Sequence, residues 1–401
     1  MGNERIPTVR GFRFAGITAG LKDSGKPDLG LILADQAVPT VAVLTRNRVR
    51  AAPVELAAQR LERGRAQAIL VNSGSANACT GKPGLTAARE TTRAVAEALD
   101  LKIEGVLPAS TGVIGAPLPV DRILEAVPRL VADLSPDGVG RFAEAIRTTD
   151  RWPKIACTRI DVGRGDMVTV LGVAKGAGMI HPSLATTLAF VVTDAPMSGA
   201  FLRRSLQRAA DETFNAATVD GETSTNDAIF AMASGALDAA QIRGSDAVAK
   251  TFRGALVDVL GELARSIVRD GEGSRKVVRL EVVGAPSEDA ARKVAERVAR
   301  SLLVKTAVHG GDPNWGRIVA AAGMAGVAFE PDRVEVCIGS TVVCRNGVAV
   351  PDAEAEAEAA QAMRADEYPI RLKLGPGKGK AHYWFCDLGH DYVTLNSEYT
   401  T

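Results

Sequence analysis

The chain has 401 residues, 48 of them Lys or Arg against 47 Asp or Glu, for a formal charge of +1 at pH 7. So close a balance supplies no extended field for nucleic acid or a charged membrane surface, and no apolar run approaches the roughly 18 residues that would suggest a span. Five cysteines (Cys79, Cys157, Cys337, Cys344 and Cys386) without a CxxC pair argue against a disulfide framework, and four histidines without HxH or HxxxH spacing give a metal site little basis.

Met1-Gly-Asn-Glu-Arg-Ile-Pro7 carries no apolar signal segment, so a cytoplasmic location is expected. Aromatic residues are only 4% of the chain, which predicts a core of Ala, Val, Leu and Ile. Residues 8–36 read as two strands around a Gly-rich turn, and 39–49 as a further strand. A helix is predicted at 54–63 and a buried strand at 66–71. That strand ends in Asn72-Ser-Gly-Ser-Ala-Asn-Ala-Cys-Thr-Gly81, which suits either a ligand loop or a side-chain-capped turn. A helix at 85–99 precedes a short strand from Val106. The small residues of Pro108-Ala-Ser-Thr-Gly-Val-Ile-Gly115 then allow two readings. One is an oxyanion hole, with the Thr111 hydroxyl beside the Gly112 N–H; the other is an ordinary glycine turn.

Helices are predicted at 120–134 and 139–147, followed by the polar Thr148-Thr149-Asp150. A β-hairpin spans 154–173 and turns at Gly163-Arg-Gly-Asp166. It delivers the chain to Lys175-Gly-Ala-Gly-Met-Ile-His-Pro-Ser-Leu-Ala-Thr186 and to the apolar strand that follows. A small residue before a threonine, on a glycine-containing approach to a strand, suits a chain that cuts itself; it also suits a plain turn. With the Ala185–Thr186 bond broken, Thr186 carries a hydroxyl nucleophile and an α-amino base on one residue. The ordinary pKa of such an amine is roughly 7.7–8.0, so part of it is neutral near pH 7.

A helix is predicted to reach Thr213. Val219-Asp-Gly-Glu-Thr-Ser-Thr-Asn-Asp227 packs hydroxyl, amide and carboxylate groups densely, as a solvated loop or as part of a site. The longest helical pattern is 245–269, with Ser245 as N-cap and Gly271 as stop. Glu272 follows between glycines, pointing into a site or lying in a surface turn. Next come a strand at 276–283 and a Ser287-capped helix. Short strands at 334–338 and 341–344 and an Ala/Glu helix at 352–365 follow, then strands at 370–374 and 381–388 predicted to pair with each other. Neither His309-Gly-Gly-Asp-Pro-Asn-Trp-Gly-Arg317 nor Gly375-Pro-Gly-Lys-Gly-Lys380 has the Gly-Lys-Ser/Thr ending of a phosphate loop. The tail from Tyr392 to Thr401 reads as strand held down almost to its end. The boundary drawn is at 185/186, giving fragments 1–185 and 186–401.

Seven segments in order carry a family resemblance. They are Asn72…Gly81, Ser110…Gly115, Thr148-Thr-Asp150, Lys175…Thr186, Asp220…Asp227, Asp312-Pro-Asn-Trp-Gly-Arg317 and Asn396…Thr401. Together they resemble the ornithine acetyltransferase (ArgJ) family, the glutamate N-acetyltransferases of arginine biosynthesis. The resemblance implies an α/β fold, a layered sandwich of mixed sheets with flanking helices, N-terminal-nucleophile-like and of the DmpA/ArgJ type. It makes Ala185 and Thr186 the cleavage pair, Thr186 the acyl-accepting nucleophile, and Thr111 with Gly112 the oxyanion hole. Thr149 (with Thr148 as near alternative), Lys175, Glu272, Asn396 and Thr401 match substrate contacts. The two fragments are expected to stay together as an α2β2 heterotetramer. Ser75, Glu222 and Thr187 depart from the family's usual Asn, Asp and Met.

The expected reaction passes an acetyl group from N2-acetyl-L-ornithine through Thr186 to L-glutamate. No cofactor or metal is expected; acetyl-CoA is a conceivable second donor. Lys175 would serve a substrate carboxylate and Glu272 an ammonium, or either would act on Thr186. The rival readings are a self-cleaving aminopeptidase or amidase, in which water takes the acyl group, and a non-catalytic amino-acid-binding protein whose chain stays whole.

Overall fold

The structure, a computed structural model, describes residues 6–163, 165–181 and 187–398. The two strands expected on either side of residue 37 are one. After β1 (Phe12–Ile17), the run Leu29–Leu44 forms a single 16-residue strand, β2. A register shift between Leu33 and Val38 bends it, and Pro39, which has no N–H to donate, marks where β2 leaves one neighbour for another.

Next in the chain come α1 (Ala52–Leu61), β3 (Arg65–Ser75), α2 (Gly81–Ala98), β4 (Val106–Val113), α3 (Val120–Ala132) and α4 (Val139–Ala145). The hairpin expected from 154 onward is β5 (Lys154–Asp161) with β6 (Met167–Lys175). Then follow β7 (Leu188–Thr193), α5 (Gly199–Glu212), β8 (Ala217–Thr218), β9 (Ala228–Ala233) and α6 (Ala247–Arg269). Asp246, not Ser245, caps α6: its carboxylate accepts the Ala249 N–H at 2.7 Å.

Two compact units result. Among the described residues, 6–215 with 222–267 form the first, and 216–221 with 268–398 the second. In the chain the 185/186 position, outside the described residues, falls between β6 and β7, two strands of the first unit that are hydrogen-bonded neighbours paired at Lys175 and Leu188. A cut there divides the chain without following either unit boundary.

The first unit's sheet runs β4-β3-β2-β9-β7-β6-β5, with β1 beside β2. The β3–β4 and β7–β9 pairs are parallel and the rest antiparallel. Its core is largely aliphatic, as expected, yet four phenylalanines form a continuous row. Phe142 from α4 meets Phe14 at 6.1 Å and the edge of Phe190 at 5.3 Å, and Phe190 stacks on Phe230 at 5.7 Å. Gly172 lets α6 lie against β6, since a Cβ there would sit 2.7 Å from Val259 and Leu263.

The second unit contains β10 (Val277–Ala285), α7 (Glu288–Ala299), α8 (Leu302–Gly310), α9 (Trp315–Gly323), β11 (Glu335–Ile338), β12 (Thr341–Arg345), β13 (Val348–Ala349), α10 (Ala353–Ala362), β14 (Glu367–Lys373), β15 (Gly379–Cys386) and α11 (His390–Glu398). Its sheet order is β13-β12-β11-β14-β10-β15-β8. The expected pairing of β14 with β15 is therefore wrong: β10 lies between them, parallel to β14 and antiparallel to β15. The connecting loop crosses the end of β10 at Gly284, whose φ is +74° and whose absent Cβ leaves room for the Gly375 carbonyl.

The tail is helix α11 through Glu398 and not a strand. Asp387 ends β15 by accepting the N–H groups of Arg275 and Lys276 at 2.8 and 2.9 Å, and the chain turns at Gly389, where the His309 ring occupies the space of a Cβ. The stretch His309–Arg317 is a helix corner. Gly311 closes α8 at φ +67°, Asn314 caps α9, and Arg317 donates to the Leu303 carbonyl at 3.0 Å. Among the described residues no helix is long and apolar enough to cross a membrane.

Candidate active site

Strand ends of the first unit converge on one place. β4 runs through Thr111 and Gly112 before it ends, so these residues belong to the strand and not to a turn after it. Ser73 pairs with Thr111 and Gly74 with Gly112. Gly112 has φ +133°, and a Cβ on it would lie 2.3 Å from the Gly74 carbonyl carbon. Only glycine permits that backbone approach. β6 ends at Lys175, which is buried and whose ammonium donates to the Thr111 hydroxyl at 3.3 Å.

The segment 222–227 joins these ends. It is not a solvated loop: Ser224, Thr225, Asn226 and Asp227 are all 7% exposed or less. The Asn226 amide donates to the carbonyls of Ala76 (2.6 Å) and Ser110 (2.9 Å), and so ties the segment to the ends of β3 and β4. The Asn72 loop is likewise an internally bonded structure: Ser110 donates to Asn72 Oδ1 at 2.6 Å, and Asn72 to the Ser75 carbonyl at 2.8 Å. Of the three departures from the family wording, Ser75 is buried within this network and Glu222 is exposed.

Asp227 fixes the start of β7. Its Oδ1 accepts the Thr187 N–H at 3.0 Å, and the Thr187 carbonyl accepts the Ala228 N–H at 3.0 Å. Burial pushes the Asp227 carboxyl well above the usual carboxylate range, against the opposing effect of N–H bonds from Thr187 and Ser224. The peptide that leaves residue 186 is thus held by a buried acid.

Asp150 is the second buried carboxyl. Lys154 donates to its Oδ1 at 2.7 Å, and so does the Gly176 N–H, also at 2.7 Å. The Thr148 N–H donates to Oδ2 at 3.0 Å, and Lys175 Nζ lies 3.9 Å from it. Burial alone would raise this acid, but Lys175, Lys154 and the Gly176 N–H together hold it below the ordinary carboxylate range. Thr149 sits half-buried inside the same turn.

A further cation, Lys22, went unnoticed in the sequence because Gly20-Leu-Lys-Asp-Ser-Gly25 reads as a plain turn. Asp28 folds that turn by accepting the N–H groups of Ala19, Leu21 and Lys22, and the Lys22 ammonium donates to the Pro27 carbonyl at 2.8 Å. A Cβ at Gly74 would lie 3.3 Å from Lys22 Cγ, so Lys22 runs over the strand that carries the Gly112 partner. Burial chiefly, with Lys175 and Arg147 adding repulsion against the pull of Asp28 and Asp150, lowers its pKa to about 8.

The first unit therefore brings Thr111, Gly112, Lys175 and the Thr149 turn into one bonded group. Ala185 and Thr186 lie outside the described residues, as does Thr401. In the second unit, Asn396 on α11 donates to Glu272 Oε2 at 3.0 Å, and Glu272 stands in the turn 271–274 closed by the Ser274 N–H on the Gly271 carbonyl. Among the described residues no group of three His, Cys, Asp or Glu is arranged to hold a metal ion.

Comparison with known proteins identifies one family over nearly the whole chain. A sequence model described as the ArgJ family matches residues 13–401. The arginine biosynthesis bifunctional protein ArgJ of Thermosynechococcus vestitus is 44% identical, with 99% of this chain and 98% of that protein covered. The protein so named in Symbiobacterium thermophilum is 45% identical over the same shares. The crystal structure of the arginine biosynthesis bifunctional protein from Bacillus halodurans matches with TM-score 0.51 and 38% identity, covering 52% of this chain and 98% of that one.

Proposed function

The chain belongs to the ArgJ family, and from that membership and the geometry above we propose that it is a self-cleaving acetyltransferase of arginine biosynthesis. Maturation begins when the Thr186 hydroxyl attacks the Ala185 carbonyl. The Ala185–Thr186 amide becomes an ester, water hydrolyses it, and the products are an Ala185 carboxylate and a free Thr186 amine. The fold of the resulting fragments follows the N-terminal-nucleophile type.

In transfer, the freed amine takes the hydroxyl proton as Thr186 Oγ attacks the acetyl carbonyl of N2-acetyl-L-ornithine. The acetamide C–N bond breaks, ornithine leaves with the proton, and the acetyl group remains as an ester on Thr186. The amine of L-glutamate then attacks that ester; the C–O bond breaks, the proton returns to Thr186 Oγ, and N-acetylglutamate leaves. Thr111 and Gly112 hold the oxyanion in both halves, and Lys175 serves the substrate carboxylate. Glu272, Asn396 and Thr401 enter the proposal on sequence resemblance alone. No cofactor is required.

One observation carries this reading: Lys175, the last residue of the strand leading to the proposed cut, donates to the hydroxyl of Thr111. The Bacillus halodurans chain adds support, since nearly all of it corresponds to about half of this one. A chain cut at 185/186 would give a second fragment of about that share.

The test is an assay of the purified protein with N-acetylornithine, with and without glutamate. N-acetylglutamate should form in step with ornithine. Acetate released continuously without glutamate would instead identify a hydrolase and overturn the transfer reading.

The pH profile offers a second check. The Thr186 amine acts as a base only when neutral, so the rate rises with pH as it loses its proton. Lys22, which lies close enough to repel Lys175 and has its pKa lowered to about 8, adds positive charge beside the proposed carboxylate partner Lys175 only below that pH, so binding of a carboxylate substrate weakens as pH rises past it. Lys22→Arg keeps the charge at every working pH. The rise in KM for glutamate above pH 8 should shrink in that variant while the rising limb stays in place.

A further inference from the structure

A single buried carboxylate links three pieces of chain that the proposed function uses. Asp150 closes the turn containing Thr149 through the Thr148 N–H, at 3.0 Å. It holds β5 through Lys154 Nζ, at 2.7 Å with both side chains fully buried. It also accepts the N–H of Gly176, at 2.7 Å, the first residue beyond β6 on the way to the proposed cut. The β5–β6 register makes this possible: Lys154 pairs with Ala174, so the residue after that pair is Lys175, and Gly176 follows it.

The distances divide the work between the two lysines. Lys154 takes the close ion pair at 2.7 Å, while Lys175 stands 3.9 Å from the other oxygen and donates to Thr111 at 3.3 Å. An ammonium drawn fully onto Asp150 would leave the Thr111 hydroxyl. Lys154, on the opposite oxygen, offsets the charge by which Asp150 would otherwise draw it.

We infer that Asp150 is a positioning residue of the acetyl-transfer site, setting Lys175 against Thr111 and anchoring Gly176, and that Lys154 is the counter-ion that keeps it from capturing Lys175. The inference rests on the proposed function. A merely structural reading competes with it: a buried Asp–Lys pair that holds a hairpin to a turn.

A double variant separates the two. Asp150→Asn alone strands two buried ammonium groups, those of Lys154 and Lys175, and risks misfolding, whereas Asp150→Asn with Lys154→Met removes the close pair together and leaves only Lys175 without its carboxylate. The double variant should melt above Asp150→Asn and below the wild type. Its self-cleavage and its kcat/KM for N-acetylornithine should fall by about 10²-fold, the loss typical of a misplaced reacting group. Lys154→Met alone should raise KM for N-acetylornithine about tenfold with a smaller change in kcat, because Asp150 then pulls Lys175 from Thr111.

A stable double variant that cuts and transfers at wild-type rates overturns the inference and leaves the proposed function standing. Wild-type protein that neither cuts nor transfers overturns the proposed function, and the inference with it. If the double variant does not fold, Lys154→Met decides: an unchanged KM in a folded single variant assigns the pair a structural role only.

Discussion

Replacing Thr186 by Ala should leave one uncut chain of 401 residues and lower acetyl transfer by on the order of 10⁴–10⁶-fold. The size of the effect follows from one residue holding two roles. Without the hydroxyl there is no attack on the Ala185 carbonyl, so the α-amine is never released, and there is nothing to carry the acetyl group. Thr186→Ser keeps the hydroxyl and, after cleavage, the amine; it should cut and transfer at reduced rates. Thr187→Ala is the sharper control, because it lies one residue away and also removes a threonine hydroxyl. Its backbone N–H on Asp227 and its carbonyl on the Ala228 N–H, both at 3.0 Å, hold residue 187 in place, and alanine keeps both. Denaturing electrophoresis with an ornithine-release assay reads all three variants together.

The second large effect is expected at Gly112. Alanine there would place its Cβ 2.3 Å from the Gly74 carbonyl carbon, 2.6 Å from its oxygen and 2.7 Å from the Ser75 nitrogen. All three are backbone atoms, so no rotamer change relieves the clash, and the φ of +133° adds strain that L side chains rarely tolerate. The β3–β4 ladder must open where Thr111 and Gly112 present their donors. Loss of an oxyanion donor costs about 10²–10³ in rate, and the backbone strain costs about 1–3 kcal/mol of stability. Gly105→Ala serves as comparison, since a Cβ there has nothing closer than 3.9 Å. Thermal melts and kcat of the two variants should differ accordingly: a small change for Gly105→Ala and a large loss in both quantities for Gly112→Ala.

Local chemistry made much of the fold legible. The hairpin after residue 154, the helix ending at Arg269 and the Ser287 cap are set by alternation, period and capping within a few residues, and all three are found. What sequence hid is long-range. β10 between β14 and β15 cannot be read from two strands that follow each other closely, because nearness in sequence favours pairing and the crossover depends on a glycine at 284 some ninety residues upstream. The tail became a helix through Asp387 and Gly389, whose partners at 275, 276 and 309 are likewise remote.

The candidate site shows the same division. Thr111, Gly112, Lys175 and the Thr149 turn came from specific wording. The density of polar groups from 219 to 227 did not say whether they face water; burial of Asn226 becomes evident only with the carbonyls of Ala76 and Ser110 beside it. Asp150 was visible as part of a motif, but its link to Lys154 and Gly176 depends on hairpin register. Lys22 had no signal at all in its own neighbourhood.

The proposed chemistry requires Thr186 to become an N-terminal nucleophile that carries the acetyl group. The direct measurement is the denatured mass of the protein, quenched after mixing with N-acetylornithine and no glutamate. Two fragments should appear in place of the 41.9 kDa chain, the second beginning at Thr186 and heavier by one acetyl group, which glutamate then removes. A single intact chain, or a cut chain in which the Thr186 fragment never gains that mass, would contradict it.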